Sequence, residues 1–292
     1  MSQTPDGKRG ISPDQIIVLA SLLGLAILSW MYIAGLAADM PASPGQARPS
    51  MVGMPMAGMP MGDMPMDSVT GSAPPSFDAG AFALTSLMWF VMMLGMMIPS
   101  AAPMLMLYAH VQRRRSGVSP LVRTALFGSG YALVWGAFSL AAAALQQGLA
   151  QAALVTPGLT LASTAIGGAV LIAAGAYELT PFKQVCLAHC RGPVAFIASH
   201  WRPGSFGAIR MGLAHGLFCL GCCWALMLLL FVGGVMNLLW IAALAGLVLV
   251  QKLLPGGKVL TWLTAAVLIG AGGVLLWDRF GPWASKAGSF IR

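Results

Sequence analysis

Seven apolar segments, each near the length needed to cross a bilayer, follow one another along this chain: 16–38, 82–108, 121–149, 159–180, 208–232, 235–251 and 258–277. The hydrocarbon core of a membrane is about 30 Å thick and takes about 20 mostly apolar helical residues to span. Only 8% of the 292 residues are charged and 58% are hydrophobic, whereas a soluble domain carries roughly 25% charged residues. The expected fold is therefore all-α, a polytopic transmembrane helix bundle of about seven spans with the lipid bilayer as its first partner. Gly233-Gly234 is all that divides the fifth span from the sixth, so these two should form a tight hairpin; the count falls to six if that boundary fails.

A net charge of +8 raises nucleic acid as a partner, but the distribution of the cations speaks against it. With the N-terminus in the cytoplasm, Lys8, Arg9, Arg113, Arg114, Arg115, Arg123, Lys183, Arg191, Arg202, Arg210, Lys252 and Lys258 fall inside, and only Arg48, Arg279, Lys286 and Arg292 fall outside. That asymmetry is the positive-inside pattern of an inner-membrane protein. The first apolar segment is too long for a signal-peptide core and is read as an anchor. Four regions result: the N-terminus and anchor (1–39), an extracytoplasmic linker (40–77), a six-span domain (78–280) and a tail (281–292).

The linker is rich in Pro, Gly, Ser and Met and is expected to be disordered. It repeats Met-Pro-Met three times, at Met54/Met56, Met59/Met61 and Met64/Met66. Proline forbids the helix that would bury these thioethers. Thioether sulfur is a soft, uncharged donor that selects Cu(I) over hard ions and cannot form a disulfide in an oxidising compartment. Three copies on a tether would act as a weak multi-site trap. The plainer alternative is a linker whose methionines adhere to lipid or to a partner surface.

The fifth span carries a denser set of ligand types. At about 100° per residue, Met211, His215, Cys219 and Cys222 share an arc of about 80°, with Cys223 at its edge. Residues spaced i, i+4 and i+7 lie on one face, so His215, Cys219 and Cys222 are candidates to hold one ion, Cu(I) first and zinc second. Each alone has an ordinary reading as a buried small hydrophobe or a satisfied imidazole; an imidazole at membrane depth is nonetheless costly and functional by default. Gly212 and Gly216 would let a second helix approach closely.

Upstream, on an expected cytoplasmic loop, Cys186 and Cys190 flank His189. Lys183 and Arg191 would favour their thiolate forms, and a reducing compartment would keep them open for metal or for a redox role. Glu178, the only glutamate in the chain, is read either as an ion-pair partner of Arg210 or Lys252 or as a ligand or proton acceptor. In the second span Met88, Met92 and Met96 form one stripe and Met93 and Met97 another, alongside Pro99 and Pro103. Such stripes are ordinarily flexible packing; a share in conducting metal is the alternative.

Three motifs resemble those of a bacterial family of unknown function described as predicted metal-binding integral membrane proteins. They are Met96-Met97-Ile98-Pro99-Ser100, the Thr180-Pro181-Phe182-Lys183 loop with Cys186, Cys190-Arg191 and Pro193, and Gly221-Cys222-Cys223-Trp224-Ala225-Leu226-Met227. The resemblance covers about 82–277 and implies a metal-binding membrane protein. It departs at Gln251-Lys252, where an acidic residue before the lysine is expected, and at Glu178, where glutamine is the more frequent residue.

The favoured function is a non-enzymatic soft-metal protein that captures copper outside the cytoplasm and holds, delivers or translocates it. A copper-dependent membrane enzyme or other membrane subunits are the expected partners. One alternative is an accessory subunit stabilising such a complex, using small-residue faces such as Gly270-Ala271-Gly272-Gly273. Another is a thiol oxidoreductase using Cys186/Cys190 and Cys219/Cys222. No P-loop is present, which argues against ATP-driven pumping.

Overall fold

A computed structural model describes residues 13–38, 78–116, 120–156, 160–254 and 257–280. The thioethers of the three Met-Pro-Met repeats, Met54, Met56, Met59, Met61, Met64 and Met66, lie outside the described residues. So do the rest of the 40–77 linker and the 281–292 tail. Within the described residues the chain is helical: α1 (Pro13–Ala38), α2 (Ala79–Ser116), α3 (Leu121–Gln151), α4 (Thr164–Glu178), α5 (Pro181–Arg191), α6 (Pro193–His200), α7 (Gly204–Leu228), α8 (Leu230–Gly233), α9 (Leu238–Leu253) and α10 (Gly257–Phe280). The all-α expectation holds.

Five of these helices are long and apolar enough to cross a membrane: α1, α2, α3, α7 running into α8, and α10. The seven-span expectation is not reached, for two physical reasons. The expected fourth span, 159–180, is helical only over the 15 residues of α4, and the chain bends at its end: Thr180 caps α5 by accepting the Lys183 N–H, and Pro181 occupies its first turn, where its missing N–H costs nothing. Helices α4 and α5 therefore meet at a bend of 64°, and together they would count as a sixth span. The expected sixth span, α9, has 16 residues, which at 1.5 Å per residue reaches about 24 Å, short of the hydrocarbon core.

The hairpin expectation also changes. The turn does fall at Gly234, whose φ of 95° is open to glycine, and Asn237 caps the next helix by accepting the Trp240 N–H. But α9 packs principally on α2 and α7 on α3; the two limbs of the turn diverge.

Close approach at glycine organises the bundle. A Cβ placed on Gly212 would run into the Phe127 carbonyl, and one on Gly130 into the Ile209 carbonyl, so α3 and α7 touch backbone to backbone. Gly168 on α4 and Gly272 on α10 form a second such seam, each facing the other's carbonyl. The close approach anticipated at Gly212 and Gly216 is made by α3, whereas Gly272, expected on a face toward other subunits, packs on α4 of the same chain. Large apolar side chains such as Leu28, Val122, Phe206 and Leu239 point outward, while methionines of α2, Trp89 and Trp135 fill the interior.

Candidate metal centre

Met211, His215, Cys219, Cys222 and Cys223 are all buried along α7, as their shared arc requires once α3 is drawn against Gly212. What surrounds them comes from four other helices. The Cys190 and Cys222 sulfurs lie 3.9 Å apart, joining α5 to α7. The Cys223 sulfur lies 3.9 Å from the Met97 sulfur of α2. Tyr131 Oη of α3 is 3.1 Å from Cys219 Sγ, and Lys252 Nζ of α9 donates to the same sulfur at 3.0 Å. Cys222 and Cys223 thiols both donate back to the Cys219 carbonyl, at 3.1 and 3.0 Å. All five cysteines are free thiols.

These separations can be compared with what metal binding requires. With metal–thiolate bonds of about 2.3 Å, two sulfurs on one ion stand roughly 3.8 Å apart in tetrahedral geometry and roughly 4.6 Å apart in linear geometry. Both 3.9 Å pairs fall in that interval. Among the described residues, however, no three of the Cys, His, Asp and Glu side chains stand grouped to hold an ion. The soft donors instead stand as sulfur pairs, one of which includes the Met97 thioether.

The expectation that Met54, Met56, Met59, Met61, Met64 and Met66 bind an ion falls on residues outside the described ones, and the methionine that does stand among the cysteines is Met97 of α2.

His215 stands apart from the sulfurs in one respect. Its Nδ1 is buried with no hydrogen-bond partner, while its ring is enclosed by Tyr131, Phe127 and Phe196 at centroid distances of 5.7, 6.0 and 5.4 Å. An orphaned buried imidazole nitrogen is unusual and suits a soft or borderline ion. Met211 is otherwise engaged: its sulfur accepts the Arg202 backbone N–H at 3.3 Å.

The 180–193 region is not a loop, and its groups separate. Cys190 faces Cys222, whereas Cys186 is pressed against the backbone of α7 at Gly221, leaving no room there for a Cβ. His189 turns away, stacked on Phe218 with ring centroids 4.0 Å apart and bonded through Nδ1 to the Val185 carbonyl. The cations expected to favour thiolate are committed elsewhere: Lys183 to Glu178 and Gln251, Arg191 to the Gln251 carbonyl. Glu178 thus pairs with Lys183, neither with Arg210 nor with Lys252, and both partners are fully buried. Gln251 completes the pair, its amide donating to Glu178 and to Thr264 at 3.0 and 3.3 Å. This is a closed polar network and not part of the sulfur cluster.

The sequence offered a signal for Met97, as a member of a stripe, but none for Tyr131 or Lys252 as neighbours of Cys219. Their proximity depends on how α2, α3 and α9 pack around α7.

The donor set is soft, with cysteine and methionine sulfur from three helices, and such sets select copper(I) and similar ions. The PpoB2 family, described as copper chaperones, matches residues 86–275, which contain this whole cluster. The chain belongs to that family. No curated protein and no solved structure matches it. The PpoB2 description points to copper, and the sulfurs of Cys190, Cys222, Cys223 and Met97, with Cys219 and His215 beside them, are the groups that could hold it.

Proposed function

We propose that this chain is a membrane-embedded Cu(I) chaperone of the bacterial inner membrane. It gathers copper on the extracytoplasmic Met54–Met66 repeats and holds it at the sulfur cluster before handing it to a copper-dependent partner, without catalysing a reaction. The observation that carries this reading is the 3.9 Å separation of Cys190 and Cys222, a distance suited to a shared ion. Helices α5 and α7 hold those thiols from two directions, and Cys190 is the less buried of the two, so exchange with a partner would start there. Five long apolar helices with outward-facing leucines support the membrane assignment, and the cation asymmetry supports the orientation.

The test is Cu(I) binding by the purified full chain, measured by competition with a chromogenic chelator. Cys222→Ser and Cys190→Ser should each weaken binding by at least about tenfold, since each removes one thiolate of the pair. Undiminished copper binding in the double variant would sink the proposal. The same 3.9 Å contact favours one rival, a thiol oxidoreductase acting through Cys190 and Cys222 in place of the two pairs expected from spacing. On that reading mild oxidation would remove two thiols from the count reversibly, and copper would bind no better than to a random thiol pair. A stoichiometric membrane partner that survives both substitutions would instead favour the accessory-subunit role.

A further inference from the structure

Lys252 is the unexpected member of the cluster. It lies in the last turn of α9, is 5% exposed, and its ammonium is surrounded by soft or neutral atoms. Nζ donates to Cys219 Sγ at 3.0 Å and to Ser100 Oγ at 3.1 Å, and stands 3.7 Å from Met97 Sδ. Among the described residues the ion pairs are Arg113–Asp14 and Lys183–Glu178, so no carboxylate there answers this charge. The nearby Glu178–Lys183 pair cancels itself. A buried cation is tolerated only when its charge is answered, and the negative charge available here is that of the cargo-holding thiolates next to Cys219, whose sulfur Lys252 contacts.

The charge sum of the site follows. Cys190 and Cys222 binding an ion as thiolates contribute two negative charges, Cys219 stays a neutral thiol whose sulfur accepts from Lys252, and Lys252 contributes one positive charge. A monovalent ion brings the buried site to neutrality; a divalent ion leaves it with a net positive charge where little water screens it. Softness alone does not make this distinction, because soft divalent ions also favour thiolate. We propose that Lys252 is the specificity-determining residue of the sulfur cluster, a fixed cation that makes it select a monovalent soft ion over an equally soft divalent one. This rests on the copper-binding reading above and adds to it the reason why charge, not only donor type, chooses the cargo.

Ag(I) and Cd(II) are suitable probes, since both are soft and redox-inert and they differ in charge. Affinities would be measured on the detergent-purified full chain by chelator competition, for the natural sequence, Lys252→Met and Lys252→Arg. The natural chain should prefer Ag(I) strongly. Lys252→Met, which keeps the length and removes the charge, should lower the Ag(I)-over-Cd(II) preference by about 100-fold or more, as expected for one charge a few ångströms from an ion in a weakly screened site. Lys252→Arg should keep the preference. A natural chain that takes Cd(II) as tightly as Ag(I) would overturn the proposal with no variant needed, and so would an unchanged preference in a folded Lys252→Met chain. Ag(I) binding indifferent to Cys190→Ser and Cys222→Ser would instead overturn the copper-site reading, so the two failures are separable.

Discussion

At the scale of single residues, chemistry here is decided by which neighbour a side chain meets. Cys186 and Cys190 differ by one helical turn, yet one abuts the Gly221 backbone and the other faces a thiol. Cys186→Ser should therefore leave Cu(I) affinity within about twofold, while Cys190→Ser lowers it at least about tenfold, by the same chelator competition. Glu178 and Lys183 make the opposite kind of site, a pair fully withdrawn from solvent. Glu178→Leu alone strands a buried ammonium and should cost about 3–5 kcal/mol of stability, whereas Glu178→Leu with Lys183→Met should recover most of that loss. Thermal unfolding of the three variants in one detergent checks this; a double variant as unstable as the single would show that the pair is not the source.

Elements act by fixing angles. The Thr180 cap and Pro181 set the 64° bend that turns α5 back toward α7. Pro181→Ala removes the restriction against continuing α4, whose last turn would otherwise run on. Cross-linking between Cys190 and Cys222 by mild oxidation should fall several-fold in that variant, read by thiol counting or peptide mapping. The α3–α7 seam is less forgiving. A leucine at Gly212 has to displace the Phe127 backbone, and overpacking of a tight interface costs about 1–3 kcal/mol or more. Gly212→Leu should lower the unfolding temperature and with it Cu(I) binding, because Tyr131 and Cys219 are brought together by the same seam.

For the whole molecule, the proposed function gives cargo capture and cargo holding to different parts of the chain. Deleting 51–66 should slow copper acquisition at low free copper while leaving the equilibrium affinity of the sulfur cluster unchanged, since a multi-site tether raises local concentration without touching the site. Stopped-flow loading against equilibrium competition separates the two; a matching fall in affinity would place those methionines in the holding site itself.

The amino-acid order determined what is local: where apolar helices lie, where Thr180-Pro181 and Gly234 interrupt them, and that Met211, His215, Cys219, Cys222 and Cys223 share a face, because helical periodicity repeats every few residues. It left the bend of α4 into α5 to be read as a loop and counted α9 as a span, although its 16 helical residues are short of one. Only the tertiary structure decided that Cys190 and not Cys186 meets Cys222, that Met97 completes the sulfur set, that Lys183 takes Glu178, and that Lys252 lies against Cys219. Those contacts join residues as far as 155 positions apart, and they follow from which helix faces can approach at glycine, a choice made between elements and not within any one of them.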